Sequence, residues 1–229
     1  MDRDKKLSAT TTPVQIPVGD QSLQGDFRLP AEAHGIVLFA HGSGSSRRSP
    51  RNQYVARALE QRDLATLLID LLTEPEEAVD VYTARYRFDL GMLARRLVMI
   101  VDWLREWKET ASLPIGLFGA STGGGAALMA AADRPHAIAA VVSRGGRPDL
   151  AGAALSRVTA PTLLIVGGLD TPVIQMNRDA MREMRGDVTL EIVPGATHLF
   201  EEPGTLERVA ELAGDFFARY FQPAASRRG

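Results

Sequence analysis

Ile115-Gly116-Leu117-Phe118-Gly119-Ala120-Ser121-Thr122-Gly123-Gly124-Gly125-Ala126-Ala127-Leu128 (IGLFGASTGGGAAL) is the stretch whose reading decides this chain. Residues 115–119 form an apolar run without alternation, the pattern of a strand buried on both faces. Residues 122–133 carry apolar positions at the period of a helix. Between them stands Gly119-Ala120-Ser121-Thr122-Gly123, a serine at a strand-to-helix turn with glycine on either side. Chance would produce Gly-x-Ser-x-Gly about 0.1 times in a chain of this composition. The strand before it and the helix after it supply the context in which such a turn lifts a serine hydroxyl out of a sheet. Gly124 and Gly125 extend the glycines into the helix at about 1 kcal/mol each relative to alanine. Close packing of that helix on the sheet would explain why the cost is tolerated.

Outward from this stretch the same apolar run recurs at 35–40 (GIVLFA), 65–71 (ATLLIDL), 138–142 (IAAVV) and 162–167 (TLLIVG). Residues 188–193 are more amphipathic, as suits a strand nearer an edge, and 14–17 and 22–29 read as two short strands joined at Gly19 and Asp20. Helical periodicity covers 52–62, 85–107, 122–133, 173–185 and 205–221. Strands alternating with helices imply crossover connections, so the expected class is α/β, with a mostly parallel central sheet and helices on both faces. One domain is expected over 14–222, between a polar tail at 1–13 and a second tail at 223–229. The connections 41–50 and 143–155 follow strands, and open α/β sheets bind ligands outside the carboxyl ends of their strands.

Composition narrows the function classes. The 229 residues are 45% hydrophobic and 24% charged with a net charge of −2, which gives no bulk electrostatic case for nucleic acid or an anionic membrane as partner. Cysteine is absent, which excludes disulfides, thiolate metal sites and a cysteine nucleophile. The opening MDRDKKLSATTTP has no apolar stretch that could act as a signal peptide, and no run approaches the roughly 20 apolar residues of a membrane span. Cytoplasmic residence is the expectation. The four histidines, His34, His41, His136 and His198, are scattered without ligand spacing, so no metal and no cofactor is expected.

A serine hydroxyl needs a base within hydrogen-bond reach. His34 precedes a strand and His136 follows a helix at the far end of the sheet, so both are expected at the surface. His41 is read as a buried structural residue. His198, in the loop between the last strand and the last helix, opens at the same end as Ser121 and is the expected base. An imidazole needs an acid to fix its tautomer. Asp170, just past the strand at 162–167, is preferred for that role over Asp149, although Asp170 also suits the N-cap of the helix that Thr171-Pro172 begins. Acyl transfer needs donors aimed at the developing oxyanion. The backbone N–H groups of Thr122 and of Ser43, in the His41-Gly42-Ser43-Gly44 loop, are the expected pair.

Five arginines, Arg47, Arg48, Arg51, Arg144 and Arg147, fall near the same end and are candidates for binding an anionic substrate, since guanidinium holds carboxylate or phosphate in a bidentate fork. The competing reading is a set of solvated charges balancing Glu74, Glu76 and Glu77.

Taken together, the GASTG turn, Asp170, His198 and the HGSG loop resemble the α/β-hydrolase superfamily, over about residues 25–221, and the small form without a lid resembles its dienelactone-hydrolase-like branch. Ser121, Asp170 and His198 also stand in the chain order of that fold. The resemblance implies an α/β-hydrolase fold with little or no lid. The implied activity is hydrolysis of a small-molecule ester through a Ser-His-Asp triad and an acyl-enzyme, without a cofactor. Dienelactone hydrolases proper carry cysteine as nucleophile, so Ser121 argues for a general serine carboxylesterase. The 18 or so residues between the sixth and seventh strands leave no room for a multi-helix lid, so short acyl chains are expected. An acyltransferase or amidase on the same triad, or a weakly catalytic ligand-binding protein, are the alternatives. The sequence leaves open whether the chain is a monomer or a homodimer.

Overall fold

The structure, a computed structural model, describes residues 10–221. Residues 1–9 of the expected N-terminal tail and all of the expected C-terminal tail lie outside the described residues; Thr12 already belongs to the first strand. The elements run β1 (Thr12–Val18), β2 (Gln21–Arg28), β3 (Ile36–Ala40), α1 (Pro50–Glu60), β4 (Ala65–Ile69), α2 (Glu74–Thr83), α3 (Leu90–Glu106), β5 (Ile115–Ala120), α4 (Thr122–Asp133), β6 (Ile138–Arg144), β7 (Thr162–Gly167), α5 (Thr171–Glu183), β8 (Val188–Val193) and α6 (Thr205–Phe221). A 3₁₀ segment, Pro148–Arg157, joins β6 to β7.

The strands form one sheet of eight in the order β1-β2-β4-β3-β5-β6-β7-β8. The β1–β2 and β2–β4 pairs are antiparallel and every other pair is parallel. The order reverses around β3, β4 and β5, so the end of β5 lies at a switch point of the topology, where ligands of open α/β sheets bind.

Burial on both faces explains the unbroken apolar runs. In β3, Ile36, Leu38 and Ala40 face a layer built by α3, α4 and α5, while Val37 and Phe39 face α1 and α6. Phe39 and Phe118 pack against each other across neighbouring strands, their rings tilted and their centroids 4.9 Å apart. β8, which closes the sheet, is mostly half-exposed, as its amphipathic sequence requires.

Two connections differ from the sequence expectation. Glu74–Thr83, to which the sequence reading assigned no element, is the helix α2. Thr73 and Glu76 form a reciprocal capping box at its start, and Pro75 occupies the first turn, where a missing N–H costs nothing. Helical periodicity placed the next helix from residue 85, yet α3 begins at Leu90. The cause is Asp80, buried to 1% exposure, whose Oδ1 accepts the backbone N–H groups of Tyr86 and Arg87 and holds 84–88 in a turn. Burial alone would raise the Asp80 pKa; the Arg87 side chain and those two N–H groups outweigh it and hold the carboxyl below its ordinary value. Between β6 and β7 the 3₁₀ segment packs its Ala151, Ala154 and Leu155 into the α4 side of the core. No lid rises from it.

Candidate active site

Ser121 follows the last residue of β5 and caps α4 with φ 51° and ψ −122°. A non-glycine residue in that region costs about 1–3 kcal/mol and persists only where its surroundings hold it. Here they do. The Ser121 N–H donates to the Arg144 carbonyl at 3.2 Å, and the Ser121 carbonyl accepts from Gly124 and Arg147 at 2.9 and 3.0 Å. The flanking glycines follow from packing. A Cβ on Gly119 would sit 2.5 Å from the Gly123 carbonyl oxygen, and one on Gly123 would sit 2.2 Å from the Ala40 carbonyl oxygen.

His198 Nε2 lies 3.4 Å from Ser121 Oγ, and Nδ1 lies 2.6 Å from Asp170 Oδ2. With its Nδ1 proton donated to the carboxylate, the imidazole presents an unprotonated Nε2 to the hydroxyl. The serine contact is long, as such contacts often are before substrate binds. Asp170 is the N-cap residue of α5 but makes no side-chain cap bond, so its carboxylate serves His198 rather than the helix. Asp149 instead holds Arg147 in a bidentate pair at 2.8 and 2.7 Å. Asn177, fully buried on α5, donates to the Gly146 carbonyl at 3.0 Å and ties down the 144–147 turn beneath Ser121 and His198. Sequence reading passed over it; the available signal was an asparagine on the apolar face of a helix, four residues after Val173.

His41 is half-buried. Its Nε2 accepts the Leu71 N–H at 3.1 Å and its Nδ1 lies 2.9 Å from the Gly42 carbonyl, which fixes a neutral tautomer with the proton on Nδ1. Burial pushes its pKa below the ordinary histidine value, against the raising effects of the Gly42 carbonyl, Asp70 and Glu77. It braces the 42–45 loop against the end of β4.

The two expected oxyanion donors do not stand equivalent. Thr122, at the first position of α4, has no helical acceptor for its N–H. The Ser43 N–H, by contrast, donates to Thr122 Oγ1 at 2.9 Å.

The five arginines have separate fates. Arg47 pairs with Asp70 and, at 3.5 Å, with Asp26. Arg147 is held by Asp149, and Arg51 pairs with Glu201 at 2.9 Å. Arg48 is exposed on a cleft of about 260 Å³ that Arg47, Asp70, Glu74 and Glu77 also line. Not all five lie in loops: Arg51 sits in the first turn of α1 and Arg144 ends β6. The balancing role read for the acids also fails at Glu76, which pairs with Arg96 of α3. Strand alternation turns Arg144 toward the α1 and α6 face. It is 7% exposed, and its Nε and Nη1 have no partner among the described residues. Burial, and then the positive charge of Arg51, lower its pKa to about 10, so it is still a cation at neutral pH.

Among the described residues, no group of three or more histidines and carboxylates is gathered that could hold a metal ion, and no helix is long and apolar enough to cross a membrane.

The sequence pattern of the dienelactone hydrolase family matches residues 69–223, which is most of the chain. The chain belongs to the dienelactone hydrolase family. A crystal structure of the dienelactone hydrolase from Anabaena variabilis shares 58% identity with this family member, covering 93% of this chain and 99% of that one, with a TM-score of 0.91. An alpha-beta serine hydrolase homologue from Coxiella burnetii, at 19% identity, covers 90% of this chain and 96% of its own with a TM-score of 0.73, and so shares the fold. A Mycobacterium tuberculosis protein named "Putative phosphoribosyl transferase" is 55% identical over 204 residues, which are 89% of this chain and 45% of that protein. The chain therefore spans less than half the length of the curated relatives it matches.

Proposed function

We propose that this family member is a serine hydrolase acting on small carboxylic esters through an acyl-enzyme. The observation that carries the reading is Ser121 held at φ 51°, with the Asp170-bound imidazole of His198 3.4 Å from its hydroxyl. In the proposed cycle His198 Nε2 takes the Ser121 proton as Oγ attacks the acyl carbon. The same imidazolium then protonates the leaving alcohol, and water repeats the sequence to release the acid. A serine where dienelactone hydrolases proper carry cysteine supports general ester hydrolysis. The name of the longer mycobacterial relative describes a protein of which this chain matches 45%. A serine, an imidazole and a carboxylate in this relation suit acyl chemistry, and an acyltransferase or amidase would use the same three groups.

Of the five arginines, Arg144 is the candidate for an anionic group on the substrate, because it carries a buried charge without an ion-pair partner among the described residues beside the strand end that bears Ser121; Arg51, although paired with Glu201, is tested with it because its positive charge acts on Arg144. The reading is tested with a fluorophosphonate probe and a series of p-nitrophenyl esters. Ser121 should take the label, Ser121→Ala should lose both label and turnover, and activity should fall as the acyl chain lengthens beyond a few carbons. Labelling that survives in Ser121→Ala would remove the assignment.

A further inference from the structure

The hydrogen bond between Ser43 and Thr122 changes what the oxyanion hole can be. A hole made of two backbone N–H groups needs both of them unspent. Here the Ser43 N–H is directed at Thr122 Oγ1 across 2.9 Å, joining two loops 79 residues apart. A hydroxyl accepts through its lone pairs and has one proton to donate. The Thr122 proton meets no acceptor among the described residues, although the side chain is 5% exposed. A buried donor left unspent beside the nucleophile is a cost without a structural return.

The hydroxyl is also held in place. Thr122 is β-branched, and its χ1 is restricted in the first turn of a helix. It is enclosed by the Gly42–Ser43 segment, which itself packs so closely on the nucleophile that a Cβ on Gly42 would sit 3.1 Å from Ser121 Cβ. Thr122 directly follows the nucleophile, so its N–H and its hydroxyl both stand next to Ser121, and the Ser43 N–H donates to that hydroxyl from the facing loop. An N–H that donates to a hydroxyl polarises it and makes its proton a better donor.

We propose that Thr122 supplies two donors to the oxyanion, its backbone N–H and its side-chain hydroxyl, and that Ser43 acts through that hydroxyl as a positioning residue. When Ser121 Oγ bonds to the acyl carbon, its proton passes to His198 Nε2 and the carbonyl π pair moves onto the carbonyl oxygen. Thr122 keeps its hydroxyl proton and directs it at that oxygen, as its N–H does. The inference rests on the serine-hydrolase reading and goes beyond it by requiring a hydroxyl at position 122.

The test compares Thr122→Val, Thr122→Ala and Thr122→Ser with wild type. Two readouts are taken: steady-state hydrolysis of a short neutral ester, and the second-order rate of Ser121 labelling by a fluorophosphonate, whose phosphoryl oxygen occupies the same hole. Valine keeps the shape and removes the hydroxyl. Loss of one oxyanion donor should lower kcat about 10²-fold, leave KM within a few-fold, and slow labelling by a comparable factor. Alanine should behave like valine, and serine should stay within a few-fold of wild type. Thermal unfolding identifies a variant that fails to fold, in which case the alanine and serine pair decides. Unchanged or faster turnover in Thr122→Val or Thr122→Ala would overturn the proposal, since the hydroxyl would then merely occupy the Ser43 N–H. A loss that Thr122→Ser does not restore would overturn it too, by assigning the effect to the methyl group. Wild type that labels at Ser121 while the valine variant is unaffected defeats only this inference; a Ser121 that never labels defeats the hydrolase reading with it.

Discussion

Asp170→Asn is the substitution whose effect the geometry sets most directly. Asp170 Oδ2 lies 2.6 Å from His198 Nδ1, and the carboxylate has no second duty as a helix cap. Asparagine is nearly isosteric and an equally good N-cap residue, so α5 and the fold should be little disturbed. Its amide can donate to Nδ1, however, and that tautomer places the imidazole proton on Nε2, facing the serine. Such a histidine cannot accept the Ser121 proton. The change also removes the negative charge that stabilises the imidazolium. The expected fall in kcat is about 10³–10⁴-fold, or roughly 4–5.5 kcal/mol of barrier. Melting temperature should move by only a few degrees. The assay is steady-state hydrolysis of a short p-nitrophenyl ester, with thermal unfolding as a control for the fold. Asp149→Asn is the matched control, because Asp149 is paired with Arg147. It should leave kcat within a few-fold of wild type. A loss of less than tenfold in Asp170→Asn, or the large loss appearing in Asp149→Asn, would refute the reasoning.

Two further expectations concern charge. Arg144→Gln and Arg51→Gln should each raise KM for a carboxylate-bearing ester about tenfold or more while sparing a neutral ester of matched size, because a hydrogen bond to a charged group contributes about 1.5–3 kcal/mol; equal effects on both esters would mean that these arginines support the loops. His41 is half-buried and desolvation lowers its pKa, so above about pH 6.5 folded and unfolded chains are both neutral there and its contribution to stability is complete. As pH falls below that value the unfolded chain takes up a proton that the folded chain refuses, and stability should decline by at most about 1.4 kcal/mol per pH unit until the folded pKa is reached. His41→Gln, whose side-chain carbonyl can still accept the Leu71 N–H, should flatten the decline between pH 6.5 and 5 in chemical denaturation; an unchanged slope would place the titrating group elsewhere.

The α/β class was legible in the sequence because burial on both faces of a parallel sheet leaves an unbroken apolar run in each strand, and β3, β4, β5 and β7 all carry one. The turn at Ser121 was legible for a related reason: close packing there excludes a Cβ at Gly119 and Gly123, so the constraint is written into residue type. α2 was not read, because three of its first four residues are acidic and its apolar Val79, Val81 and Tyr82 face solvent, leaving no buried stripe to set a period. Its Thr73-to-Glu76 capping box was the local signal that remained.

Pairing across the chain could be decided only by the tertiary structure. Asp170 and Asp149 both follow strands at the end of the sheet that carries Ser121, and no local pattern says which carboxylate reaches His198; the fold brings Asp170 to the imidazole and turns Asp149 onto Arg147. The same holds for the arginines, which look alike in sequence. Arg47 finds Asp70, 23 residues away, Arg51 finds Glu201, 150 residues away, and Arg144 is left buried without a partner among the described residues. Likewise, a serine N–H and a threonine hydroxyl 79 residues apart meet because β3 and β5 are neighbours in the sheet. Burial is a property each residue declares by its own chemistry and its period, whereas a hydrogen bond or an ion pair acts over a few ångströms between groups that only the folded chain brings together.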